Sequence, residues 1–217
     1  MEKIVVANLK MNFEEQDVLN YIQKINEEKF NNIDLYIAPT SIYLEKFKSD
    51  NYHLTSQDVS MYINGSYTGE ISAKQLNSIG VDTVIIGHSE RRNIFNENSE
   101  IINNKIKNAI LNNLKVILCV GDNDTLNELE RDLDNVDLKN IIIAYEPEYA
   151  IGSGKCASLS EINNAICKIK KKYNTKIIYG GSVNSENIKD IVKICDGVIV
   201  GKMSLNVEIF KNIIRQI

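Results

Sequence analysis

The sequence predicts an α/β chain closed into a (β/α)8 barrel, and three observations carry that expectation. Short β-branched runs recur along the 217 residues, with helical patterns between them, at intervals of about 20 to 35 residues. That rhythm is the signature of βα units around a parallel sheet. Eight such units leave about 27 residues apiece, near the minimum for a barrel that typically takes ~250, so trimmed peripheral helices and loops are expected. The first strand-to-helix turn, Asn8 to Phe13, lacks the glycine fingerprint that an open dinucleotide-binding sheet would place there.

The elements follow in order. The strand from Lys3 to Leu9 leads into a helix from Glu14 to Phe30, Ile33 to Ala38 into Ser41 to Lys48, Tyr52 to Gln57 into Ser72 to Ile79, and Val81 to Gly87 into Ser99 to Asn113. The second half repeats the pattern: Lys115 to Val120 with Thr125 to Leu133, Asn140 to Tyr145 with Ser160 to Tyr173, Lys176 to Tyr179 with Ser185 to Ile194, and Gly197 to Gly201 with Val207 to Ile214. The strand segments are apolar on both faces, as strands of a covered parallel sheet must be. No Pro-, Gly- or Ser-rich linker interrupts the chain, so one domain over residues 1–217 is expected.

Composition removes several function classes. Hydrophobic residues at 43% and charged residues at 25% are those of a globular protein rather than a disordered, collagenous or coiled-coil chain. A net charge of −4 disfavours a nucleic-acid-coating surface, so any anion site must be local. No apolar run approaches the ~18 residues of a membrane span, and the four-residue stretch Ile4 to Ala7 is too short for a signal-peptide core. A cytoplasmic location and no membrane partner are expected. Cys119, Cys156, Cys167 and Cys195 form no CxxC pair, and the two histidines have no ligand-like spacing; neither disulfides nor a metal site is indicated.

A barrel of this kind gathers its chemistry at the C-terminal strand ends. Asn8 and Lys10 end the first strand there, His88 and Glu90 follow the fourth, Cys119 closes the fifth, and Glu146 ends the sixth directly before Pro147. Each alone has a bland role, since a strand-end lysine is ordinarily solvated and a strand-end glutamate ordinarily pairs with a neighbour. Glycines supply a second signal. Residues 150–155 (AIGSGK), 179–183 (YGGSV) and 200–204 (VGKMS) offer backbone N–H groups on consecutive loops. Barrels commonly bind phosphate after strands 7 and 8, so a phosphorylated substrate is expected. His53 reads as a mid-strand packing residue with no acidic partner nearby in sequence, Cys119 as a small buried hydrophobe, and Lys168 to Lys172 as a solvated helix face.

These segments resemble the triosephosphate isomerase family along nearly the whole chain. NLKMN (8–12) is similar to its first-strand motif, SYTGEIS (66–72) to its interface loop and IIGHSERR (85–92) to its electrophile loop; ILCVG (117–121), AYEPEYAIGSGKCA (144–157) and YGGSV (179–183) follow in the family order. The resemblance implies a TIM barrel that interconverts dihydroxyacetone phosphate and D-glyceraldehyde 3-phosphate in glycolysis and gluconeogenesis, through an enediol(ate) and without a cofactor. Glu146 takes the place of the base and His88 that of the electrophile. This family is itself a standard case of pKa tuning, in which a neutral histidine at a helix N-terminus polarises a carbonyl. Lys10 would stabilise substrate and enediolate, Asn8 would donate a hydrogen bond, and Glu90 would pair with Lys10.

Also by resemblance, Pro147 to Lys155 form a lid that excludes water and prevents phosphate elimination. Backbone N–H groups of Gly152, Ser182, Gly201 and Lys202 would hold the phosphate, Tyr179 and Ser182 would latch the closed lid at Ala157 and Gly154, and Thr68 would reach into a partner subunit of a homodimer. The chain departs from the family pattern in four respects. Leu9 and Tyr149 stand where tryptophan is usual, with Tyr149 expected to anchor the lid; Lys202 and Met203 replace a glycine and a small residue, which threatens an amide contact if that turn needs positive φ. Two readings stay open beside the isomerase: another phosphate-binding barrel enzyme such as a sugar-phosphate epimerase, and a catalytically impaired barrel used as a binding protein.

Overall fold

The computed structural model describes residues 2–121 and 124–217. Eight parallel strands close into a barrel in sequence order, with β1 (Lys3–Asn8) hydrogen-bonded to both β2 (Ile33–Ala38) and β8 (Gly197–Val200). Between these run β3 (His53–Ser56), β4 (Thr83–Ile86), β5 (Lys115–Val120), β6 (Ile141–Tyr145) and β7 (Lys176–Tyr179). The helices are α1 (Glu15–Asn26), α2 (Ala73–Ser78), α3 (Ser89–Ile94), α4 (Ser99–Leu111), α5 (Thr125–Asp132), α6 (Leu159–Lys172), α7 (Ile188–Ile194) and α8 (Val207–Ile214). Among the described residues no helix is long and apolar enough to cross a membrane.

The two-residue period of a strand sorts side chains into two cores. Ile4, Val6, Tyr36, Ala38, Ile85, Ile117, Cys119, Ile142, Ala144, Ile178 and Ile199 fill the barrel interior. Their neighbours of opposite parity, such as Val5, Ala7, Val116, Leu118 and Val198, pack outward against the helices. Continuing the inner parity past the strand ends brings Asn8, Glu146, Gly180 and Gly201 to the C-terminal mouth. The sequence rhythm therefore fixes which residues face the site before any loop is considered.

Helix boundaries differ from the sequence expectation for local reasons. Ser72 and Ser158 stand outside their helices as N-caps, accepting from Gln75 N–H and Glu161 N–H in capping boxes. The α7 helix starts at Ile188 rather than Ser185, because Asn184 and Asn187 tie the preceding residues into a turn of side-chain to backbone bonds. The second unit has a 3-10 helix, Ser41–Lys46, in place of an α-helix. Only Leu44 and Phe47 bury there, and their three-residue spacing suits three residues per turn. The fourth unit carries two helices, α3 and α4.

One expectation is overturned at the opposite rim. His53 opens β3 rather than lying within it, and it has two acidic partners. Its Nε2 lies 3.0 Å from Asp34 Oδ1 and its Nδ1 2.5 Å from Asp82 Oδ2. Tyr36 stacks on the ring with centroids 4.6 Å apart. Asp34 is on β2 and Asp82 just precedes β4, so the barrel's curvature converts residues remote in sequence into a three-strand clamp. Bonds to Asp34 and Asp82 push the imidazole up to about 9, against the effect of partial burial. Burial is the largest single influence and raises both carboxyls, but the His53 bonds, the hydroxyls of Tyr36 on Asp34 and Thr83 on Asp82, and the charges of His53 and Lys115 together outweigh it, so both lie below the ordinary range.

Candidate active site

At the C-terminal mouth the first strand ends in a backbone that non-glycine residues seldom adopt. Lys10 has φ +51°. Its carbonyl accepts from Thr40 Oγ1 (3.0 Å) and Gln57 Nε2 (2.9 Å), while Asn12 Nδ2 donates to Leu9 O (2.8 Å). These bonds hold the strained turn from three sides. Lys10 Nζ reaches Glu90 Oε1 at 2.5 Å. Asn8, buried beside it, accepts from Lys10 N–H through Oδ1 (3.1 Å), which fixes the amide and leaves the Nδ2 donors without a protein acceptor among the described residues.

His88 owes its position to Gly87. With φ +73°, Gly87 breaks the strand parity and swings His88 into the N-cap of α3. There His88 Nδ1 accepts from Glu90 N–H at 3.2 Å, which leaves the ring proton on Nε2. That nitrogen lies 3.4 Å from Glu146 Oε2. Both side chains are buried.

Glu146 follows β6 with inner parity, and its N–H donates to Val120 O (2.8 Å). Burial raises its carboxyl above the ordinary range, partly offset by His88, by a bond from the Cys119 thiol (Sγ to Oε1, 3.5 Å) and by Lys10. Cys119 is buried with its thiol pushed well up, first by burial and then by the neighbouring Glu146, as expected for an inert packing thiol. The carboxylate also requires Gly180, because a Cβ at that position would stand 2.6 Å from Glu146 Cγ.

The segment from Ala150 to Ala157 is bonded to the residues around the end of β7. Ser182 Oγ donates to Ala150 O (2.6 Å) and accepts from Gly154 N–H (3.1 Å), while Ala157 N–H donates to Tyr179 OH (3.1 Å). Tyr149 does not anchor the lid segment: the ring is 61% exposed, and Ala150 is the buried residue of the 3-10 helix Glu148–Ala150. The Lys202 turn proves unstrained as well. Lys202 opens the 3-10 helix Lys202–Leu205 at negative φ, where a side chain costs nothing.

A cavity of about 370 Å³ joins these parts, lined by Asn8, Lys10, His88 and Glu146 together with Gly152, Gly154, Ser182, Gly201 and Lys202. Thr68 is elsewhere, exposed on the loop after β3, where Tyr62 and Tyr67 stack at 3.7 Å. Sequence reasoning held Asn12 and Ser153 only as members of the 8–12 and 150–155 segments, without a role of their own, and missed Asn184 of the lining. It also missed Arg92, whose guanidinium bonds Gly87 O (2.7 Å) and Cys119 O (3.0 Å) and pairs with Asp132 (2.6 Å) and Glu128 (3.1 Å), tying the ends of β4 and β5 beneath His88. The paired arginines of SERR were the available signal. Only the fold could show that one faces inward.

Fold and mouth place the molecule among (β/α)8 barrels that carry a buried carboxylate–imidazole pair in a glycine-lined cavity at the C-terminal strand ends. Comparison with known proteins narrows that class. The model of the triosephosphate isomerase family matches residues 3–217. The triosephosphate isomerase of Campylobacter concisus is 39% identical, over 96% of this chain and 96% of its own length; that of Orientia tsutsugamushi is 37% identical over 100% and 98%, and that of Mycoplasma genitalium 36% over 98% and 98%. The chain belongs to the triosephosphate isomerase family.

Proposed function

We propose that this chain interconverts dihydroxyacetone phosphate and D-glyceraldehyde 3-phosphate by proton transfer through an enediol(ate). The observation that carries the reading is the meeting of Glu146 and His88, 3.4 Å apart and buried, in one cavity with Lys10 and a glycine-lined cradle. The reaction takes a proton from the carbon beside a carbonyl and returns it to the neighbouring carbon. Glu146 is the base: a dry carboxylate with a raised pKa can both accept that proton and give it back. His88 donates from Nε2 to the carbonyl oxygen, where charge develops, and Glu90 N–H keeps the proton on that nitrogen. Lys10 and the Asn8 amide add fixed positive potential at the same oxygen, with Glu90 holding the ammonium.

Backbone N–H groups of Gly152, Ser182, Gly201 and Lys202 receive the phosphate. The lid 147–155, latched through Tyr179 to Ala157 and through Ser182 to Gly154, keeps water from the enediolate. The chain acts as one domain and as a homodimer in the cytoplasm, with Thr68 on the exposed loop reaching toward the partner's mouth. An assay with dihydroxyacetone phosphate tests the reading directly. Turnover by the native chain and a loss of about 10²- to 10⁴-fold in Glu146→Gln are expected. No turnover by the native chain, or an unaltered rate in the variant, refutes it.

A further inference from the structure

Among the described residues, Lys10 and Lys202 are the only lysines or arginines lining the cavity. They are placed differently. Lys10 is committed to Glu90 at 2.5 Å, its charge largely compensated within the protein. Lys202 is exposed, and among the described residues it has neither a carboxylate partner nor a hydrogen-bonded side chain. The two positions adjoin, because a Cβ on Gly201 would lie 3.5 Å from Lys10 Cε. Two lysines therefore line the same cavity, one paired with Glu90 and the other without a carboxylate partner among the described residues. An anion arriving there meets uncompensated positive potential, although the chain as a whole carries −4. Because Lys202 is exposed, its side chain has room to bend toward such an anion.

We propose that Lys202 binds the phosphate dianion of the substrate through its side-chain ammonium, in addition to any contact made by its backbone amide. This deepens the isomerase reading and rests on it. The contact supplies charge at an exposed rim, so it should strengthen binding more than it speeds the proton transfer and should weaken as salt screens it.

The test is calorimetric titration of the native chain, Lys202→Met and Lys202→Arg with inorganic phosphate, at low and at high ionic strength, alongside KM and kcat for dihydroxyacetone phosphate. Methionine keeps the backbone amide and the reach but removes the charge. Binding about five- to ten-fold weaker in Lys202→Met at low salt is expected, with KM raised in step, kcat changed less, and near-native binding in Lys202→Arg. The deficit of Lys202→Met should shrink at high salt. Equal phosphate affinity in Lys202→Met and the native chain overturns the proposal, as does an equal loss in both variants, which would make the role one of shape. A native chain that turns over substrate yet binds no phosphate also overturns it. A native chain without turnover is instead the failure of the isomerase reading.

Discussion

The two histidines of this chain stand at opposite rims of one barrel and are held in opposite ways. His88 has a carboxylate near each ring nitrogen, at 3.5 Å (Glu90) and 3.4 Å (Glu146), looser than those of His53. Its Nδ1 accepts the Glu90 N–H, however, and its Nε2 faces a buried carboxylate that burial has made harder to ionise. His53 faces a carboxylate from each ring nitrogen, and those carboxylates are easier to ionise than usual. The C-terminal rim therefore holds a polar pair in an uncomfortable state that chemistry can use. At the N-terminal rim, a satisfied ionic triad ties three strands together. Function sits where electrostatics is left unsatisfied, and stability where it is complete.

The sharpest way to break this contrast is to neutralise each carboxylate in turn. A carboxyl with a raised pKa in the folded state makes folding less favourable once the pH exceeds its unfolded value. Glu146→Gln should therefore unfold at a higher temperature than the native chain at pH 7 while losing its turnover, as calorimetry and assay together would reveal. A lower unfolding temperature would mean that the carboxylate is comfortable where it lies. In the native enzyme the acidic limb of kcat/KM should fall above the ordinary glutamate range near ~4.3, since Glu146 must be ionised to act as base. Next in size, His88→Gln should lower kcat by about 10²- to 10³-fold, as loss of one preorganised donor does, with a smaller change in KM.

The lower rim gives the complementary result. His53 is raised from about 6.5 in the unfolded chain to about 9 when folded. A raised basic group stabilises fully below the unfolded value, and the contribution disappears as pH climbs through the folded one. Discounted for the solvent that reaches a half-buried triad, it amounts to about 1–2 kcal/mol. Denaturant midpoints of the native chain should decline between pH 6.5 and 9 relative to His53→Gln, with turnover the same in both at 25 °C. Parallel pH curves for the two proteins would dismiss the clamp.

What could be read from the sequence divides along the same line. The strand at Lys115–Val120, with Ile117 and Cys119 inward, followed from its β-branched run, and Glu146 followed from its place at a strand end. Both depend on local periodicity, which survives translation into a barrel. The His53 clamp did not, because Asp34 and Asp82 lie 19 and 29 positions away and meet it only once β2, β3 and β4 curve together. Arg92 was hidden for the same reason, its partners Glu128 and Asp132 arriving on α5. Tyr149 was misread because the 3-10 turn at Glu148–Ala150 buries Ala150 and leaves Tyr149 exposed.

Tyr179 refines the comparison, because it too is a tie between elements, but one whose second end lies just past the 147–155 segment, at Cys156 and Ala157. Its hydroxyl accepts from Ala157 N–H at 3.1 Å and lies near the Cys156 thiol, while its ring is wholly buried. Tyr179→Phe keeps the buried ring and removes one hydrogen bond, an interaction of about 0.5–1.5 kcal/mol. If the bond forms only as the lid docks, its loss falls on the closed state. Turnover should then drop about two- to ten-fold, with the unfolding temperature nearly unchanged. A variant that instead unfolds early while turning over normally would show Tyr179 to be a fixed strut like His53, and the lid would have to be held by Ser182 alone.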